Sequence, residues 1–207
     1  MCFITFDPSD SDTAYTGSYR VWKTTNDGEN WYVGSPSLDG SSISAIEVAP
    51  ANSKRVYVVT ENGGFFRSRD GGEKWSPNLS SSTLPGHTIT RLETHPKDAN
   101  VVIATVANFG HSHVFRTKDG GLTWEDLDKG QLPDVPHHVV VIRNDEPDKI
   151  YVGNDAGVFV LDTVSGAWLN LTKNLPNAMV VDLVYHDRDG TMSAATYGRS
   201  IWRIKLR

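Results

Sequence analysis

The chain has 207 residues, of which 38% are hydrophobic and 10% aromatic, and it carries a formal net charge of -5. That mild acidity excludes partners that require a broad basic face, such as nucleic acid or an anionic membrane surface. No stretch reaches the roughly 18 apolar residues of a membrane span, and Cys2, the only cysteine, rules out an intrachain disulfide.

The opening Met1-Cys2-Phe3-Ile4-Thr5-Phe6 lacks the basic leader and long apolar core of an export signal and reads as a strand. It runs into Asp7-Pro8, a second strand over Thr13-Ala14-Tyr15-Thr16, and then the turn octapeptide Thr24-Thr25-Asn26-Asp27-Gly28-Glu29-Asn30-Trp31. The order then repeats. A strand ending at Val48-Ala49-Pro50 precedes Arg55 to Val59 and the octapeptide Ser68-Arg69-Asp70-Gly71-Gly72-Glu73-Lys74-Trp75. Thr94-His95-Pro96, Val101 to Thr105 and Thr117-Lys118-Asp119-Gly120-Gly121-Leu122-Thr123-Trp124 make a third round. Asp145-Glu146-Pro147 and Lys149 to Val152 open a fourth, whose decayed octapeptide keeps only Trp168 in register. A fifth reads Val181 to His186, Met192 to Thr196 and Ser200 to Ile204. Runs of β-branched and aromatic residues punctuated by Asp, Asn, Gly and Pro are strands, and a period of about 40–45 residues suits one propeller blade.

Each octapeptide is predicted to be a hairpin turn with a structural task. Asn26, Asp70 and Asp119 can accept hydrogen bonds from nearby amides, with help from the leading Thr or Ser. Gly28, Gly72 and Gly121 take backbone angles that other residues avoid, and Trp31, Trp75 and Trp124 fold back to bury a large ring. Ser68 and Thr117 complete the two full copies.

The pattern Ser/Thr-x-Asp-x-Gly-x-x-Trp resembles the Asp-box, or BNR, repeat of sialidases, xyloglucanase-type glycoside hydrolases, sortilin-type receptors and photosystem II assembly factors. The ending Ala195-Thr196-Tyr197-Gly198-Arg199-Ser200-Ile201-Trp202 is similar to the last blade of bacterial BNR-repeat proteins. The resemblance implies an all-β propeller of about five four-stranded blades, with units 2–36, 42–80, 88–132, 137–175 and 179–207 in one domain, 1–207. The last blade lacks its fourth strand, so the expected arrangements are a ring with an incomplete blade, association through open blade edges, or part of a larger propeller. Relatives are mostly secreted, periplasmic or lumenal, which is the only pointer to a compartment.

With the boxes between the third and fourth strands, a ligand site is expected on the opposite loops, which a rigid scaffold presents for binding. Candidate binding residues there are Tyr19, Arg20, Glu61, Asn62, His111, His113, Asp155, Tyr197 and Arg199. A sialidase-like site would require Arg20, Arg91 and Arg199 to converge beside a tyrosine, and the Arg-Ile-Pro motif of such enzymes is absent. A xyloglucanase-like site would require two carboxylates flanking a glycosidic bond, and Glu61 and Asp155 are the acids placed in these loops. His111 and His113, alternating in the insertion Phe109-Gly110-His111-Ser112-His113, share a face if extended, with His87, His137 and His138 on or beside the same loops. No third metal ligand follows from the pattern, so neither a metal nor a cofactor is expected. The reading is a non-catalytic module that binds protein or carbohydrate, with a glycoside hydrolase as the alternative.

Overall fold

A computed structural model describes residues 4–80, 84, 88–173 and 175–206. Cys2 and His87 lie outside these. Among the described residues the chain forms antiparallel strands and no helix.

The first sheet consists of β1 (Ile4–Asp7), β2 (Asp10–Gly17), β3 (Val21–Thr24) and β4 (Tyr32–Val33), in that spatial order. The second has β5 (Ile43–Val48), β6 (Val56–Thr60) and β7 (Phe65–Ser68). The third has β8 (Ile89–His95), β9 (Asp98–Val106), β10 (Val114–Thr117) and β11 (Glu125–Asp126). The fourth has β12 (His137–Ile142), β13 (Lys149–Asn154), β14 (Gly157–Asp162) and β15 (Ala167–Asn170), and the last has β16 (Val180–His186), β17 (Thr191–Thr196) and β18 (Ile201–Lys205). Every sheet is a meander in which each strand pairs with the one before it. In the second sheet, residues 76–79 still run along β7: Ser76 N donates to Arg67 O at 2.9 Å and Leu79 N to Phe65 O at 2.8 Å.

Consecutive sheets pack through their first strands, β1 on β5, β5 on β8, β8 on β12 and β12 on β16. The cores lie between sheets. One cluster joins Tyr57, Val59 and Phe65 of the second sheet to Leu92, Val102, Ala104, Phe115 and Trp124 of the third. A second joins Ile103, Val114 and Leu127 to Val140, Ile150, Val152 and Phe159 of the fourth. Each fully buried side chain of this kind contributes about 1.5–3 kcal/mol. No sheet can bury both faces alone, so stability resides in the stacking of neighbours.

The octapeptides perform the predicted turn chemistry and add an inter-sheet role. Ser68 Oγ donates to Asp70 Oδ1 at 2.8 Å, while Gly72 N donates to Ser68 Oγ at 2.8 Å and Lys74 N to Asp70 Oδ1 at 2.9 Å. Thr117 and Asp119 repeat this, and in the first copy Asn26 Oδ1 accepts from Asn30 N at 3.0 Å in the aspartate's place. The turn of one sheet also presents carbonyls to the sheet before it. Tyr15 Oη and Lys23 Nζ donate to Gly71 O at 3.0 and 2.9 Å, and Arg67 donates to Asp119 O and Gly120 O at 2.9 and 2.7 Å.

The tryptophans reach back the same way. Trp75 Nε1 donates to Gly34 O at 2.7 Å, Trp124 meets Phe65 edge to face with centroids 5.0 Å apart, and Trp168 Nε1 donates to Leu127 O at 2.8 Å. Trp168 holds this seat although the rest of its octapeptide has decayed. Gly121 is required where it stands, with φ +96° and a would-be Cβ 2.3 Å from Phe65 Cε1.

Candidate functional site

The first strands line a cleft of about 490 Å³ to which all five sheets contribute. Ile4 and Thr5 come from the first sheet, Ser44 to Glu47 from the second, Thr90 to Glu93 from the third, His138 from the fourth and Val181 from the fifth. Arg91 of β8 pairs with Asp182 of β16 at 3.4 Å, linking the third sheet to the fifth. Their side chains are 50% and 46% exposed, so both charges are open to a ligand. On the fourth sheet, His138 Nε2 lies 2.7 Å from Asp155 Oδ1.

Two acids stand at the same register of adjacent inner strands: Glu47 opposite Tyr57 and Glu93 opposite Ile103. Each spans to the following sheet. Glu47 Oε1 accepts from Thr94 N at 3.1 Å and from Thr94 Oγ1 at 2.7 Å, and Glu93 Oε1 faces Ile142 N at 3.5 Å. Thr5 Oγ1, at the equivalent place in the first sheet, donates to Ile46 O at 3.0 Å. Burial pushes Glu47 up to about 7 against the pull of the Thr94 hydrogen bonds and the Arg91 charge. Burial and the neighbouring Glu47 charge raise Glu93 well above the usual carboxylate range.

The predicted loop residues are placed as follows. Tyr19, Arg20, Glu61, Asn62, His111, Tyr197 and Arg199 are exposed, and Asp155 is half-buried beside His138. Each sheet's loop between its second and third strands is tied to the start of a first strand. Ile43 N donates to Ser18 O at 2.7 Å, Glu61 N to Ser42 O at 2.8 Å and Tyr197 N to Met179 O at 2.9 Å. These loops therefore stand on the face where the first strands begin. The three arginines separate: Arg91 lines the cleft, Arg20 lines another pocket with Lys23, Tyr32 and Glu73, and Arg199 stands in the exposed turn before β18.

His113 is inside the protein, 2% exposed, and not on the loop surface. Its Nδ1 lies 2.9 Å from Asp128 Oδ2 and its Nε2 2.8 Å from Asn108 O. Both partners are acceptors, so both ring nitrogens carry protons and His113 is an imidazolium. Burial opposes that charge, but the hydrogen bonds to Asp128 and Asn108 and the charges of Asp128 and Asp134 hold its pKa above the ordinary value. His137 stacks on it at 4.7 Å and is neutral: Nδ1–H donates to Val135 O at 2.8 Å and Nε2 accepts from Asn154 Nδ2 at 2.9 Å. Among the described residues no three His, Cys, Asp or Glu side chains are grouped to hold a metal ion. Sequence reasoning named Arg91 and His138 but missed Glu47, Glu93 and Asp182, which sit in apolar strands with no motif around them.

Residues 19–158, more than half of the chain, match the family described as Sortilin, neurotensin receptor 3. Vacuolar protein sorting/targeting protein 10 of Aspergillus terreus is 30% identical over 105 residues, covering 50% of this chain and 7% of that protein. A xyloglucanase of Paenibacillus sp is 24% identical over 215 residues, covering 80% of this chain and 20% of the enzyme. The GH74 xyloglucanase structure from Xanthomonas campestris superposes with a TM-score of 0.80 at 15% identity, over 97% of this chain and 36% of that one. At such identity the likeness shows the fold, a BNR/Asp-box type of β-propeller. The chain thus spans well under two thirds of the length of each of these relatives. By the match over residues 19–158, the chain belongs to the Sortilin-Vps10 family.

Proposed function

We propose that the five units act as one non-catalytic binding module, residues 1–207, holding a polypeptide or glycan segment over the inner cleft. The observation that carries this reading is the half-exposed Arg91–Asp182 pair, set among hydroxyls and carboxylates where all five sheets meet. A few fixed polar groups in a concave site orient a ligand. The acids beside them are committed to backbone amides of the next strand, an arrangement that joins sheets. Tyr19, Arg20, Glu61, Asn62, His111, Asp155, Tyr197 and Arg199 supply the rim in this reading. Titration with short peptides and with xyloglucan oligosaccharides, followed by amide NMR, tests it. Binding should shift Thr90, Arg91 and His138, and Arg91→Ala should weaken it about tenfold or more. Unchanged affinity in that variant sinks the proposal.

A hydrolase remains the second reading because Glu47, held at about 7, keeps much of its proton near neutrality, as a general acid requires. Release of sugar products from xyloglucan, abolished by Glu93→Gln or Glu47→Gln, would favour it over the first.

A further inference from the structure

The hairpin of β6 and β7, in the second sheet, gathers three arginines on one face. Tyr57 stands opposite Arg67 and Val56 opposite Ser68. One step further Arg55 faces Arg69, and Gly71 N donates to Lys54 O at 2.9 Å, so the pairing carries on into the turn. Side chains two apart on a strand share a face. Arg55 and Arg69 therefore lie on the face that Tyr57 and Arg67 turn toward the third sheet. Two contacts fix that direction: Tyr57 Oη donates to Ala99 O at 2.6 Å, and Arg67 Nη1 donates to Asp119 O and Gly120 O.

The three charges act on one another and on the tyrosine between them. Burial, followed by the charges of Arg69 and Arg55, lowers the pKa of Arg67, which is 8% exposed. Burial pushes Tyr57 up to about 12 against the pull of all three guanidinium groups. Like charges directly opposite each other on paired strands repel, and no carboxylate offsets them here. The arginine ion pairs among the described residues belong to Arg91, Arg116, Arg143 and Arg203. The acids whose charge reaches the group are committed elsewhere. Asp98 Oδ1 accepts from Asn100 N at 2.9 Å, and Asp119 accepts from Thr117, Leu122 and Thr123.

A separate observation points the same way. Arg55 Nη1 is shut off from solvent and has no hydrogen-bond acceptor in the protein. An enclosed donor on a charged group is costly to leave unpaired. Arg55 as a whole is half-buried and Arg69 is exposed, so the pair can be reached from solvent.

We propose that this cluster binds a phosphate group, with Arg55 and Arg69 gripping its oxygens from opposite strands. Arg67, fixed between the two sheets, adds a third positive charge. A phosphate brings up to two negative charges and three strong acceptor oxygens, and the planar guanidinium fork matches it. A single carboxylate brings one charge and two oxygens, too little for three cations. The site stands beside the octapeptide turns, apart from the inner cleft, and does not depend on what binds there.

The test titrates the full chain with inorganic phosphate and with a capped phosphoserine tripeptide, holding ionic strength constant with chloride. Calorimetry and the Nε–H signals of Arg55 and Arg69 are followed together. Saturable shifts of both signals are expected, and Arg69→Ala should weaken binding at least about tenfold. Arg69→Lys, which keeps the charge but not the fork, should fall between the two. Phosphate should raise the melting temperature of the wild type and not of Arg69→Ala. Tighter binding of the tripeptide than of the ion supports a phosphorylated partner, and equal binding supports the free ion. Shifts that chloride reproduces or that survive Arg69→Ala would overturn the proposal. So would a lower melting temperature of Arg69→Ala in phosphate-free buffer, which would make Arg69 a structural residue.

Discussion

His113→Ala probes the buried pair that ties the loop before β10 to the segment just after β11. The imidazolium and Asp128 are both nearly inaccessible, and Asp128 also accepts from His113 N at 3.1 Å and Leu132 N at 3.0 Å. Removing the ring leaves the Asp128 charge without its counter-ion, the Asn108 carbonyl without its donor and a gap against His137. Breaking one side of a buried ion pair costs about 3–5 kcal/mol, and each kcal/mol moves Tm by roughly 2–4 °C in a chain of this size. The melting temperature should therefore fall by roughly 6–20 °C.

The pH dependence carries a second signature. His113 has a folded pKa raised above 6.5, so its contribution is fully present below 6.5 and lost as pH rises through the folded value. Asp128 has a folded pKa below 3.8, so its contribution is present above 3.8 and lost as pH falls through the folded value. The gap between wild type and variant should be widest between pH 3.8 and 6.5 and narrow toward pH 9. Calorimetric melts at pH 5, 7 and 9 measure it. A Tm loss below about 3 °C, or a loss identical at pH 5 and pH 9, would refute the assignment of a buried imidazolium.

Gly121→Ala should destabilise by about 2–5 kcal/mol, combining a strained φ with contact against the Phe65 ring. Gly110→Ala, with φ +77° but open space around it, should cost only about 1 kcal/mol, and urea titration of both variants measures the difference. Asp119→Ala should lose about 1–2 kcal/mol as a turn cap, while Asp119→Asn stays within about 0.5 kcal/mol, because Asn26 already does this work in the first turn. Equal losses for the two Asp119 variants would contradict that account. Glu47 has a folded pKa raised from 4.5 to about 7, so wild-type stability should decline as pH rises through that range. Glu47→Gln keeps the acceptor for Thr94 without the charge, and should match wild type at pH 4 and exceed it at pH 8.

The repeat was legible because its marks are local. Asp, Gly and Trp at fixed offsets define a turn wherever they occur, and the tryptophan spacing follows the strand lengths between them. Trp168 shows how far the signal persists, since it keeps its seat on Leu127 O without an intact box. The inner cleft was harder to read. Glu47 and Glu93 sit in apolar strands, and nothing in Ile43–Val48 or Ile89–His95 tells which neighbour their carboxylates will meet. That depends on the stagger between sheets, a long-range property. His113 failed as a surface residue for a related reason. It precedes β10 in a loop that folds back onto Asp128, fifteen residues away, and its acceptors come from that fold and not from alternation.

Binding without cleavage at the inner cleft is tested most directly by incubating the chain with xyloglucan oligosaccharides and, in parallel, with a peptide panel. Amide NMR reads occupancy of the cleft while mass spectrometry reads the ligand. The account predicts saturable shifts at Thr90, Arg91 and His138 for at least one ligand, recovered intact and lost with Arg91→Ala. Cleaved sugar whose appearance depends on Glu47 or Glu93 would contradict it.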